Sequence, residues 1–171
     1  MKLSHFISLS IAIFISAYTF ASDPVASIVL SNPAEENNIS LFVNSNPNAE
    51  AYTEFTSKGG KECIYIPNGK YAYFRVDDSV IPSDQNELIF KITYFDEGFE
   101  DLAFQYNAIG DELSDKYRRQ SLKKTGSNTW VTATISVTDA SLRNAQNNNS
   151  DFRFNRKNYI HKVEIFTGAL N

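Results

Sequence analysis

Tyr71, Tyr73, Phe99, Trp130 and Arg153 are the side chains of this sequence best suited to grip a ligand. In the run KYAYFRV, Tyr71 and Tyr73 alternate with Ala72, Phe74 and Val76. If the second set faces a core, the two tyrosines form an exposed platform, about 7 Å apart on the opposite face. Such a pair can stack against the apolar C–H face of a sugar ring; the alternative is a strand covered on both faces. Phe99 (DEGFEDL) and Tyr117 (DKYRR) lie in loop-like sequence, where an aromatic either serves binding or anchors the loop over the end of a core. Trp130 opens a strand-like run with outward parity, which suits a ligand contact or a cap on the rim. Arg153, in DFRF, could pair with Asp151 or an acid on a neighbouring strand, or donate to a hydroxyl.

Carboxylates gather in two stretches: Asp77, Asp78 and Asp84 in one, Asp96, Glu97, Glu100 and Asp101 in the other. Oxygen-rich loops can hold Ca²⁺, which takes roughly six to eight oxygen ligands, and Asp77, Asp78, Asp96 and Glu97 are the candidate ligands. The spacing is not that of an EF-hand, and turn residues that satisfy their own backbone also account for it. A glycosidase pair would hold two such carboxylates about 5–9 Å apart, a distance that the sequence does not contain. Nucleophilic chemistry is poorly supplied. His161 is the one histidine besides His5, it sits inside a strand-like run, and no Gly-x-Ser-x-Gly elbow exists. The single cysteine, Cys63 in KECIYIP, leaves zinc short of ligands and reads as a buried, inert thiol.

The elements that must position these residues are strands. In Glu87–Phe95, Leu88, Phe90, Ile92 and Tyr94 share one face, and Ile89, Lys91, Thr93 and Phe95 share the other. That is the period-2 pattern of a strand, in residue types that fit a pleated surface. Trp130–Thr138 alternates as cleanly, with Val131, Ala133, Ile135 and Val137 inward and Thr132, Thr134, Ser136 and Thr138 outward. Further strands are predicted at Val25–Ser31, Ile39–Val43, Ala51–Thr56, Lys61–Ile66, Tyr71–Val76, Asp101–Tyr106, Arg118–Lys123, Asp151–Phe154 and Tyr159–Thr167. Asn-Pro, Gly-Gly, Asn-Gly and Gly-Ser-Asn turns separate them. Ile109–Tyr117 reads as a loop with one helical turn at most, Asp139–Arg143 as a short helical turn, and Asn144–Ser150 as a polar loop. Short strands at spacings of about ten residues make an all-β antiparallel sandwich of the jelly-roll kind.

Composition bounds the class. Residues 1–21 combine a basic start at Lys2, an apolar stretch centred on Leu9–Ala17, and small residues near Ala21, the pattern of a cleaved signal peptide. The expectation is a secreted or periplasmic protein with one sandwich domain over residues 22–171 and no membrane span in its mature chain. With 16 basic and 20 acidic side chains well mixed, the net charge of −4 gives no basic stripe for nucleic acid. The basic strip Lys116, Arg118, Arg119, Lys123 and Lys124 fits a solvated edge strand.

The strings YAYFRVDDSVI, KITYFDEGFEDLAFQYN, NTWVTATISVTDASL and DFRFN together resemble a β-sandwich of the galactose-binding-like superfamily, over roughly residues 51–167. Such domains are often appended to secreted bacterial glycoside hydrolases. The resemblance implies a jelly roll, a non-catalytic carbohydrate-binding role toward a poly- or oligosaccharide, and a structural Ca²⁺. Fold-level likeness carries function only by analogy. The alternative reading is a structural or protein-interaction module of the cell envelope, whose partner is another envelope or secreted protein. A glycan-active enzyme comes third.

Overall fold

The computed structural model describes residues 23–82 and 85–168; the expected signal peptide over residues 1–21 and Asp84 lie outside the described residues. In chain order the strands are β1 (Ala26–Val29), β2 (Glu35–Asn37), β3 (Ile39–Leu41), β4 (Glu54–Lys58), β5 (Lys61–Ile66) and β6 (Tyr71–Val76). They continue with β7 (Leu88–Phe95), β8 (Leu102–Tyr106), β9 (Arg118–Leu122), β10 (Trp130–Val137), β11 (Phe152–Asn155) and β12 (Asn158–Thr167). One helical turn, α1 (Leu113–Lys116), precedes β9.

Two antiparallel sheets pack face to face. The larger runs β10-β7-β12-β1-β2, with β5 beside the first residues of β12 and β4 on β5. The smaller runs β3-β6-β11-β8-β9. Every strand expected from alternation is present, and the sandwich is antiparallel as the sequence predicts. Three local expectations need correction. The strand expected at Ala51–Thr56 begins three residues later and runs Glu54–Lys58. Glu35–Asn37 pairs with β1 as a strand although its residues are all exposed and polar, because the backbone ladder needs no apolar side chain. Asp139–Arg143 is not helical: Ala140 bridges to Ala108, and the amide of Ser141 bonds the Asn107 carbonyl at 2.8 Å.

The core follows from the parity of each strand. Leu88, Phe90, Ile92 and Tyr94 of β7 point inward, as do Ala72, Phe74 and Val76 of β6. Phe90 from the large sheet meets Phe104 and Phe152 from the small one, at ring-centroid distances of 4.9 and 5.7 Å. Phe74 stacks on Phe152 at 5.0 Å. Removing one such buried ring costs about 3–5 kcal/mol, so this aromatic seam joins the sheets.

One strand changes parity midway. In β12, Ile160 is buried, and so are Val163 and Ile165, three and five residues on. A bulge between Ile160 and Lys162 absorbs the odd residue, His161, and keeps both halves facing the core. The imidazole Nδ1 lies 2.7 Å from the Glu62 carbonyl. His161 thus holds a bulge rather than an ordinary ladder position. Cys63 is buried, and burial pushes its thiol up to about 11, as expected of an inert residue.

A candidate binding face on the five-stranded sheet

With Ala72, Phe74 and Val76 turned into the core, β6 sends Tyr71, Tyr73 and Arg75 to the outer face of the small sheet. Register sets their neighbours. Tyr73 lies opposite Arg153 of β11, Arg153 opposite Gln105 of β8, and Gln105 opposite Arg119 of β9. On the other side of β6, the Phe42 amide bonds the Tyr73 carbonyl at 2.9 Å, which carries the β3 pairing one residue further. A row of outward positions, Phe42–Tyr73–Arg153–Gln105–Arg119, therefore crosses the sheet.

Arg153 is the centre of the row. Its guanidinium is sandwiched between two rings, 4.1 Å from the centroid of Tyr71 and 4.0 Å from that of Tyr117. Its Nε donates to Gln105 Oε1 at 2.9 Å, and Nη1 donates to the Tyr73 hydroxyl at 2.8 Å. Glu50 closes the group: its carboxylate accepts from the Tyr73 hydroxyl and lies 3.7 Å from Arg153 Nη1. Burial and the bond to Glu50 both push the Tyr73 phenol well above its ordinary range. A cation lying over two aromatic rings and hydrogen-bonded through Nε and Nη1 has little room to swing, so the cluster is held in place before any ligand arrives.

Two loops flank it. Residues 44–51 bring Glu50, and the Glu50 carbonyl accepts from the Tyr71 amide at 3.0 Å. Residues 144–151 bring Asn147, whose Oδ1 accepts from the Tyr117 hydroxyl at 3.0 Å and whose amide donates back to it at 3.1 Å. Buried Gln146 ties this second loop down by donating to the Lys116 carbonyl at 2.7 Å and the Gln105 carbonyl at 3.2 Å. Between the loops opens a cleft of 400 Å³ lined by Asn44, Ala49, Glu50, Ala51, Asn147 and Asn148.

The structure thus brings together Tyr71, Tyr73 and Arg153 among the expected ligand residues, and corrects how they were expected to stand. Tyr73 is fully buried beneath Glu50 and Arg153, so no exposed Tyr71–Tyr73 platform exists; their rings lie 5.9 Å apart, tilted by 33°. Arg153 pairs with Glu50, not with Asp151. Trp130 is on the other sheet, where its indole N–H donates to the Lys58 and Gly59 carbonyls and its ring meets Phe95 edge-on at 5.4 Å. That is the rim cap. Phe99 is 80% exposed rather than tucked over the core; it rests beside Gly126, far along the chain from Tyr71 and Arg153.

The expected metal ligands are separately engaged. Asp96 accepts from the amides of Thr125, Gly126 and Ser127 at 2.8, 3.3 and 3.1 Å, and from the Thr125 hydroxyl at 2.6 Å. Glu97 bonds Lys58 at 2.9 Å. Asp77 accepts from the Ser79 amide at 2.9 Å, and Asp78 from Asn144 Nδ2 at 2.9 Å. Among the described residues no three of His, Cys, Asp or Glu converge on one point. These carboxylates face N–H and O–H donors, so the calcium expectation gains no support from their geometry.

No family model matches the chain, and no curated protein matches it significantly. Whatever the face does must be read from its own chemistry. Sequence reasoning passed over Phe42, Glu50, Gln105 and Asn147. Phe42 and Gln105 left a local signal: in Ile39-Ser40-Leu41-Phe42 the buried Ile39 and Leu41 alternate with outward Ser40 and Phe42, and Gln105 lies between the buried Phe104 and Tyr106. Glu50 and Asn147 come from loops, whose path no periodicity describes.

Proposed function

We propose that this chain is an exported, non-catalytic carbohydrate-binding module that takes a poly- or oligosaccharide on the outer face of its five-stranded sheet. The observation that carries the reading is the tyrosine–arginine cluster opening on an asparagine-lined cleft. The half-exposed rings of Tyr71 and Tyr117 offer flat apolar surface to the C–H face of a sugar. Asn44, Asn147, Asn148 and Glu50 line the cleft beside them with amides and a carboxylate that can donate to and accept from neighbouring hydroxyls. Concave sites with a few fixed polar groups around apolar surface are where small ligands bind. The leader-like residues 1–21 and the resemblance to galactose-binding-like sandwiches support the same reading.

The test is a glycan array probed with the purified protein, followed by titration of any hit. Tyr71→Ala and Tyr117→Ala are each expected to weaken binding about tenfold or more. Phe99→Ala is expected to leave it unchanged. If the folded protein binds no glycan, or binds one equally well without Tyr71 and Tyr117, the reading fails. A second reading, a protein-interaction module of the envelope, is favoured by Phe42 and Val43, 39% and 58% exposed at the margin of the same face. It predicts capture of a protein partner that Phe42→Ala abolishes and sugars do not compete away.

A further inference from the structure

A sheet edge presents unpaired N–H and C=O groups, and proteins protect such edges with charge, proline, bulges or short strands. Most edges of this sandwich are protected in those ways. β2 is three residues long and carries Glu35 and Glu36; β3 is also three residues long. β4 begins with Glu54 and ends with Lys58, and β9 begins with Arg118 and Arg119. β10 is different. It is eight residues, WVTATISV, with no charge, no proline and no glycine. It runs in unbroken register with β7 from Trp130–Phe95 to Val137–Leu88, and among the described residues it pairs with β7 alone. Val131 and Ala133 are only half-buried although their parity points them inward, and Thr132 and Thr134 are exposed.

We propose that the free edge of β10 docks a second copy of this chain. The two β10 strands pair antiparallel about Thr134 and join two large sheets into one. The strand is complementary to itself in that register. Thr134 meets its own copy on the two-fold axis, Thr132 meets Ser136, Ala133 meets Ile135, and Val131 meets Val137. Hydroxyls face hydroxyls on the outer side and apolar side chains face apolar ones on the inner side, pairings that stabilise antiparallel neighbours. No like charges oppose each other in this register. Each chain has one such edge and the pairing uses it up, so the assembly closes at two.

Sedimentation equilibrium of the full chain over a concentration series tests this. The mass is expected to double with rising concentration. Thr134→Lys places two ammonium groups on the axis while leaving an exposed position of the monomer, so Tm should hold and the dimer Kd should rise about tenfold or more. Thr134→Glu should do the same, and an equal mixture of the two variants should recover the dimer. A chain that stays monomeric throughout overturns the proposal. So does a dimer indifferent to Thr134→Lys, or variants that fail to re-pair on mixing.

Discussion

Two aspartates, both buried, occupy opposite ends of the sandwich and are treated in opposite ways. Asp96 follows β7 at the end where β11 hands over to β12; Asp151 opens β11 at the other end. Asp96 receives four donors from the 125–127 turn, and these bonds from Thr125 and Ser127 outweigh the burial that would raise it, so its carboxyl is held well below the usual range. Asp151 receives two, the amides of Val76 at 2.8 Å and Asn144 at 2.6 Å. Burial dominates there. Those two bonds and the Arg75 charge oppose it, the Asp78 charge adds to it, and the carboxyl is pushed up to about 6. Burying a carboxylate is therefore stabilising or costly according to how many donors the backbone turns toward it. The first aspartate builds a turn as an anion. The second bridges β6 to the loop that carries Asn147, at a cost in charge.

The difference can be broken most sharply at Asp96. Asp96→Ala strands three backbone amides and a hydroxyl, and should cost about 2–4 kcal/mol in denaturant unfolding. Asp151→Asn should cost less, about 1 kcal/mol: it loses one acceptor but also removes a buried charge. Smaller still, Thr125→Val keeps the amide bond and deletes only the hydroxyl donor, with an expected loss of about 0.5–1 kcal/mol.

Acid separates the two residues in sign. The folded protein holds the Asp151 proton more tightly than the unfolded chain, so this group's cost is full above pH 6 and is relieved as pH falls from about 6 toward 3.8. Asp96, depressed in the fold, stabilises above the ordinary aspartate range of 3.8, and that stability is lost as pH falls through its lowered value. Tm measured down from pH 7 should gain from Asp151 first and lose from Asp96 later. In Asp151→Asn the first of these contributions should vanish while the second stays. An unchanged profile in that variant would show that Asp151 does not titrate in this range.

Much of the scaffold was legible because its rule is local. Alternation in 88–95 and 130–137 assigned inward and outward residues correctly, and Lys61–Ile66 and Tyr71–Val76 have the predicted bounds. The candidate face was half legible. That Tyr71 and Tyr73 leave the core side of β6 follows from parity; that Tyr73 is then roofed by Glu50 does not, because Glu50 sits on a loop 23 residues away in sequence. The meeting of Arg153 with Tyr71 and Tyr117 depends on strand order, on which alternation is silent. Trp130 shared the outward parity of a binding residue, and only the β4–β5 turn beneath it reveals a cap.

The sequence by itself determined the all-β class, the positions of most strands and which side of β7 and β10 is apolar, since a two-residue period and turn chemistry act between near neighbours. The tertiary structure alone decided which strands adjoin, which edge is left bare, and whether a buried aspartate meets four donors or two. Those outcomes depend on contacts between residues far apart in the chain, and their energies exist only after the sheets have packed.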